Sequence, residues 1–164
     1  MEEYRVENTQ VSEEKQRLVA FQLGAEKYGV DINHIREIIP LQAITTVPGV
    51  PGYVRGITNL RGRVITVLDL RVKLGLPATP PTASTCIVIV EHAAEPLGLI
   101  VDDVSEVLQV DEEAIDHPSR VVSSLNSDHM TGVARFGDEL LVILDLEAVL
   151  RHPSPHPPGG SFPL

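Results

Sequence analysis

"GITNLRGRVITVLDL", residues 56–70, and "GVARFGDELLVILDL", residues 132–146, decide how the chain is read. In each, an apolar run breaks at a short polar turn, resumes, and ends in Leu-Asp-Leu. Aligned without a gap, Gly56 meets Gly132, and Leu68-Asp69-Leu70 meets Leu144-Asp145-Leu146. The apolar positions repeat, but the turns do not. One copy carries Asn59-Leu60-Arg61-Gly62 and the other Arg135-Phe136-Gly137-Asp138. Two apolar runs around a short turn signal a hairpin. The chain uses this hairpin twice.

The repeat extends outward. "YGVDINHIREII" (28–39) aligns without gaps against "LGLIVDDVSEVL" (97–108), pairing Gly29 with Gly98 and Glu37 with Glu106. "RLVAFQL" (17–23) and "KYGVDI" (27–32) form another hairpin signal around Gly24-Ala25-Glu26. "CIVIVE" and "LGLIVD" follow in the second half. "DINHIREI" and "VDDVSEV" are each expected to form a turn or two of helix. "DLRVKLGL" (69–76) and "DLEAVLRH" (145–152) open on Asp, a good helix N-cap. The expected order is strand, strand, short helix, strand, strand, helix, written twice. Two small antiparallel barrels related by a pseudo-twofold axis fit it, because closure removes exposed sheet edges.

A chain of 164 residues, 43% hydrophobic, can bury a core without staples. One cysteine, Cys86, forms no internal disulfide, and no Cys/His cluster has zinc spacing. The polar, acidic start is unlike a signal peptide, and no apolar run reaches the roughly 20 residues of a membrane span. Residues 1–16 and 151–164 are expected to be disordered tails, and "PATPPTAS" (77–84) a linker between the two halves. The net charge of −10 argues against nucleic acid. It divides into −3 over residues 1–16, +4 over 17–75 and −11 over 76–164. That asymmetry reads either as plain solvation or as two faces meant for different partners.

Catalytic chemistry finds little footing. Asp116-His117 and Asp128-His129 place a carboxylate beside an imidazole, but adjacent side chains usually point apart and both pairs fall in a polar stretch. Cys86 opens an apolar strand and reads as a small core residue. "GAEKYG" lacks the ending and the helix of a phosphate loop. Asp102-Asp103 has no third metal ligand at a recognised spacing. With no nucleophile–base pair and no cofactor fingerprint, the chain reads as a binding module that needs neither metal nor cofactor. The rival from another class is a small hydrolase using the Asp/His loop.

"FQLGAEKYGVDINHIREII", "PGYVRGITNLRGRVITVLDLRVKLGL", "GLIVDDVSEVL" and "TGVARFGDELLVILDLEAVL" together resemble the CheW family of bacterial chemotaxis coupling proteins. The resemblance runs from about Arg17 to Leu150, and Gly-x-x-Asn-x-Arg-Gly, Gly56 to Gly62, is its most distinctive part. It implies an all-β fold with short helices: two intertwined five-stranded barrels of the Src-homology type. It implies an adaptor without enzymatic activity, cytoplasmic at the receptor array beneath the inner membrane. Its partners would be the regulatory domain of the histidine kinase CheA and the cytoplasmic tip of a chemoreceptor (methyl-accepting chemotaxis protein). Receptor contacts are implied at Ile35, Glu37, Ile38, Gly56, Asn59, Arg61 and Gly62, and kinase contacts at Val50, Pro51 and Val54.

Each of these residues also has a structural reading. Gly62 suits a tight hairpin and Asn59 can cap it. The turn does not require Arg61, so an ion pair with Glu37 is expected. Ile35 and Ile38 serve either as exposed anchors or as core. The apolar "VPGVPGYV" loop is either a docking surface or a rigid turn. Within the family, a coupling protein for an array controlling something other than swimming is the alternative. A detached CheA regulatory fragment is less favoured, since nothing kinase-like precedes Arg17.

Overall fold

Short β-branched runs pair as strands because branched side chains pack well on a pleated surface. The computed structural model of the protein describes residues 15–117 and 129–151. Its elements are β1 (Lys15–Leu23), β2 (Glu26–Asp31), β3 (Ile35–Pro40), β4 (Val54–Leu60), β5 (Arg63–Asp69), α1 (Leu70–Lys73), β6 (Cys86–His92), β7 (Glu95–Val101), β8 (Asp103–Asp111), β9 (Ile115–Asp116), β10 (Met130–Phe136), β11 (Glu139–Leu144) and α2 (Leu146–Arg151). Asp69 and Asp145 cap the helices as expected. Asp69 Oδ1 accepts from the Arg71 amide at 3.1 Å, and Asp145 Oδ1 from the Ala148 amide at 3.2 Å.

The strands form two sheets, β3-β6-β7-β5-β4 and β8-β1-β2-β11-β10-β9. Under the repeat alignment β3 corresponds to β8, β6 to β1, β7 to β2, β5 to β11 and β4 to β10, so both sheets have the same order. The halves have therefore exchanged hairpins. β1–β2 completes the sheet of the second half, and β6–β7 that of the first. The exchanged hairpins dock by matching parallel pairs, with Gly29 opposite Ile143 and Gly98 opposite Val67. The intertwined, pseudo-twofold, barrel-like architecture follows. One sheet has the expected five strands, and the other adds the two-residue β9. The counterpart of β9 in the first sheet is a single bridge, Thr45 to Ile57.

Strands buried on both faces explain the unbroken apolar runs. Ile87 and Ile89 of β6 point into one barrel with Val67 and Ile100. Their neighbours Val88 and Val90 point the other way. They join a core shared by both sheets, with Phe21, Leu23, Val30, Leu68 and Leu144. Leu18, Ala20, Leu141 and Ile143 fill the other barrel.

Two helix expectations fail for one reason. Of "DINHIREI", Asp31 ends β2, only Ile32–His34 forms a 3-10 turn, and the rest is β3. "VDDVSEV" is the end of β7, a crossing at Asp102, and the start of β8. Both strands carry a β-bulge, one between Ile35 and Glu37 and one opposite Ala20/Phe21. The extra residue returns the side chains to one face after three positions rather than two. Ile35 and Ile38 oppose Val90 and Val88, and Val104 and Val107 oppose Phe21 and Val19. Such spacing imitates a helix. The segment 77–84 separates the two repeats in sequence but not the two sheets, since β5 and β6 share one. The sheets are instead crossed at residues 32–34 and at Asp102. The expected tails fall mostly on residues 1–14 and 152–164, outside the described residues, although β1 already begins at Lys15.

Candidate functional site

The β4–β5 hairpin closes through a two-residue turn in which Arg61 has φ +52° and Gly62 φ +85°. Positive φ at both positions defines the turn whose twist matches a β-hairpin, and it normally favours Asn, Asp or Gly at the first position. In the second copy the place of Arg61 is taken by a glycine, Gly137, with φ +58°, and its turn has another form because Asp138 lacks positive φ. Arg61 occupies a left-handed conformation that is unfavourable for a side chain carrying Cβ. Asn59 supports the turn as expected, its Oδ1 accepting from the Gly62 amide at 2.9 Å.

The Arg61 guanidinium pairs with the Glu37 carboxylate, as expected from the sequence. β3 and β4 are the two outer strands of their sheet, so this contact joins one edge to the other. Beneath it lies a pocket of about 230 Å³, floored by Leu60, Ile65, Ile89 and Pro96. Two more pairs flank it, Arg63 with Glu95 at 3.2 Å and Arg36 with Glu91 at 3.9 Å. Glu106 stands where the second copy has its own bulged strand, but the arginine is missing there. Arg135, at the place of Asn59, instead bonds Asp116 across β10 and β9 at 2.8 Å.

The remaining predicted residues divide. Ile35 is half-buried against the shared core, whereas Ile38, on the same face, is 42% exposed. Together they form a ledge on the seam between the barrels. Gly56 is buried, with φ +146°. A Cβ there would lie 2.0 Å from the Thr45 carbonyl oxygen, so the position admits only glycine. Val50 is 37% exposed, while Val54 packs on the shared core and donates its amide to the Pro51 carbonyl at 3.0 Å. Val54 and Arg61 stand at opposite ends of the β4–β5 hairpin, about 20 Å apart at 3.3 Å per residue.

Two of the catalytic candidates are engaged elsewhere, and one lies outside the described residues. Asp116 is bound to Arg135, Asp102 to Arg71, and Asp128 is outside. Burial pushes the Cys86 thiol above its ordinary range, with the Asp103 charge adding to the effect. Among the described residues no three His, Cys, Asp or Glu side chains cluster to hold a metal. Sequence reading missed the Arg71–Asp102 pair. Its signal was present, because the repeat alignment sets Arg71 against Glu147 and Asp102 against Asn33.

The fold and the site define a pseudo-symmetric double-barrel module that offers side chains for docking. The chain belongs to the CheW-like domain family, which matches residues 17–154. It is 34% identical over 140 residues to the chemotaxis protein CheW of Treponema pallidum, covering 83% of this chain and 82% of that protein. It is 31% identical over 135 residues to that of Klebsiella aerogenes, covering 82% and 81%. The crystal structure of the scaffolding protein TtCheW from Thermoanaerobacter tengcongensis superposes with a TM-score of 0.76 at 34% identity, covering 84% of this chain and 93% of that one.

Proposed function

We propose that the protein is a chemotaxis adaptor without catalytic activity. It joins the regulatory domain of a CheA-type histidine kinase to the cytoplasmic tip of a chemoreceptor, at the array beneath the inner membrane. Family membership supports the coupling role. The observation that carries the assignment of a face is Arg61, an arginine held in a left-handed turn where the equivalent turn uses glycine. Held against backbone preference, its guanidinium reaches Glu37 on the opposite edge of the sheet, a contact the turn itself does not need.

On this reading Glu37 and Arg61 present a polar anchor and Ile38 an apolar one to the receptor tip. Ile35 and Gly56 support that surface from behind, and Asn59 and Gly62 shape the turn. The kinase docks at the far end of the hairpin on Val50, with Pro51 and Val54 holding the loop. Separate ends let one molecule hold both partners at once.

Titration of purified protein against a receptor-tip fragment and against the kinase regulatory domain tests this. Arg61→Ala should weaken receptor binding strongly and kinase binding little, and Val50→Glu should do the reverse. Equal losses at both partners, or none at either, would overturn the assignment of faces. Failure of the unaltered protein to bind either partner would overturn the adaptor reading.

A further inference from the structure

Among the described residues the chain crosses between the sheets twice, and only one crossing is clamped by its own crossing residue. At the β7–β8 crossing a single residue, Asp102, makes the turn. Its amide donates to the Gln22 carbonyl at 3.0 Å. Its Oδ2 accepts from the Gly24 amide at 2.7 Å and also takes the Arg71 guanidinium. Arg71 Nε in turn donates to the Pro77 carbonyl at 2.8 Å, and the Arg71 side chain is only 11% exposed. One node thus ties the β1–β2 turn of one barrel to the helix that ends β5 of the other. Gly24 supplies the left-handed backbone of that turn, at φ +65°.

Among the described residues the other crossing has no such node. Asn33 and Glu147 stand at the places of Asp102 and Arg71. The Asn33 amide bonds Asp31 locally at 2.9 Å, and Glu147 turns to Arg151 and His92, each at 3.8 Å. β3 begins just beyond this crossing, and Ile35 and Ile38 lie on the seam there. We infer that Arg71 and Asp102 are positioning residues: they fix the angle between the barrels and so the shape of the partner-binding seam beside β3. This rests on the receptor-face assignment above. A charged node suits the task better than apolar packing, because hydrogen bonds fix direction as well as distance.

Two variants test it. Asp102→Asn keeps an acceptor for the Gly24 amide but removes the charge that holds Arg71. Arg71→Lys keeps the charge but loses the fork that reaches both Asp102 and Pro77. Both are measured well below their melting temperatures, after amide spectra show folded protein. Residual dipolar couplings from the two sheets should still fit each barrel separately. They should no longer fit one rigid arrangement of both. Affinity for a receptor-tip fragment should fall at least tenfold, while the kinase regulatory domain, docking on one barrel, should bind within about twofold of the unaltered protein. Unchanged inter-barrel couplings in both variants would overturn the inference. So would altered couplings with intact receptor binding, provided Arg61→Ala still weakens it strongly. If Arg61→Ala also leaves receptor binding intact, the face assignment fails, and this positioning role fails with it.

Discussion

Arg61 separates what the turn needs from what the surface needs, and two substitutions measure the separation. Arg61→Ala and Arg61→Gly both remove the ion pair with Glu37. They differ in what they leave in the left-handed position. A residue with Cβ at φ near +52° carries a penalty of about 1–2 kcal/mol that glycine lacks. Glycine in turn loses about 0.4–1 kcal/mol through its freer unfolded chain. The glycine variant should therefore be more stable than the alanine variant by about 0.5–1 kcal/mol, or roughly 1–4 °C in melting temperature. The pair itself is a surface one: the Arg61 side chain is 65% exposed and that of Glu37 32%. It should contribute about 0–1 kcal/mol, so the unaltered protein should melt close to the glycine variant. Receptor binding should not follow this order. Both variants lack the guanidinium and should lose affinity alike, by roughly 2 kcal/mol or more, about thirtyfold. Calorimetric melting and titration against a receptor-tip fragment give both numbers. An alanine variant as stable as the glycine one would refute the left-handed turn. An unaltered protein far more stable than either would make the pair a clamp on the sheet edges. Receptor affinity that tracked melting temperature would mean that Arg61 acts through stability alone.

Four further outcomes are expected. The β6–β7 turn holds Ala93 and Ala94 at φ +54° and +67°, so Ala93→Asn with Ala94→Gly should raise stability by about 1–2 kcal/mol in chemical denaturation; no gain would mean another turn form. Gly56→Ala, with its Cβ driven against the Thr45 carbonyl, should lower stability by about 3 kcal/mol or more, and near-neutral behaviour would show that residues 44–46 lie elsewhere. Burial raises the Cys86 pKa, so the fold disfavours thiolate: at pH 8 alkylation should be slower than for the unfolded chain, and the stability linked to this group should fall only as pH rises past the ordinary thiol value of 9.0. Association with the kinase domain, followed by stopped flow, should slow as the Debye length shrinks from about 10 Å at 0.1 M to about 3 Å at 1 M salt; a flat profile would mean that the uneven charge is only solvation.

The sequence revealed most where the two copies agree. Paired glycines, paired Leu-Asp-Leu ends and matched apolar runs identified the strands, the capping aspartates and the pseudo-twofold. It misled where strands are bulged, because one inserted residue gives Ile35 and Ile38, or Val104 and Val107, the spacing of a helix. Burial alone could not correct this, since the exchanged hairpins make one sheet's outer face the other sheet's core. The exchange itself leaves no local signature. It is decided by which hairpin docks beside Gly29 and Gly98, a contact remote in sequence.

A duplicated fold also sorts its own residues. Whatever both copies need for folding must be present in both. Gly56 and Gly132 each face a carbonyl too close for a Cβ, at 2.0 Å from Thr45 and 2.8 Å from Asp116, and both copies keep glycine. Asp69 and Asp145 each cap a helix, and both copies keep aspartate. Residues present in only one copy are free of that requirement. Three sites stand out: Arg61 against Gly137, Arg71 against Glu147, and Asp102 against Asn33. The first lies on the surface at the sheet edge, and the other two meet in one partly buried node at the crossing. Removal of Arg61 should therefore alter contact with a partner, whereas removal of Arg71 or Asp102 should alter how the barrels meet. Affinity alone cannot separate these effects, because each ends in weaker binding. Melting temperature separates the first, and inter-barrel couplings separate the second.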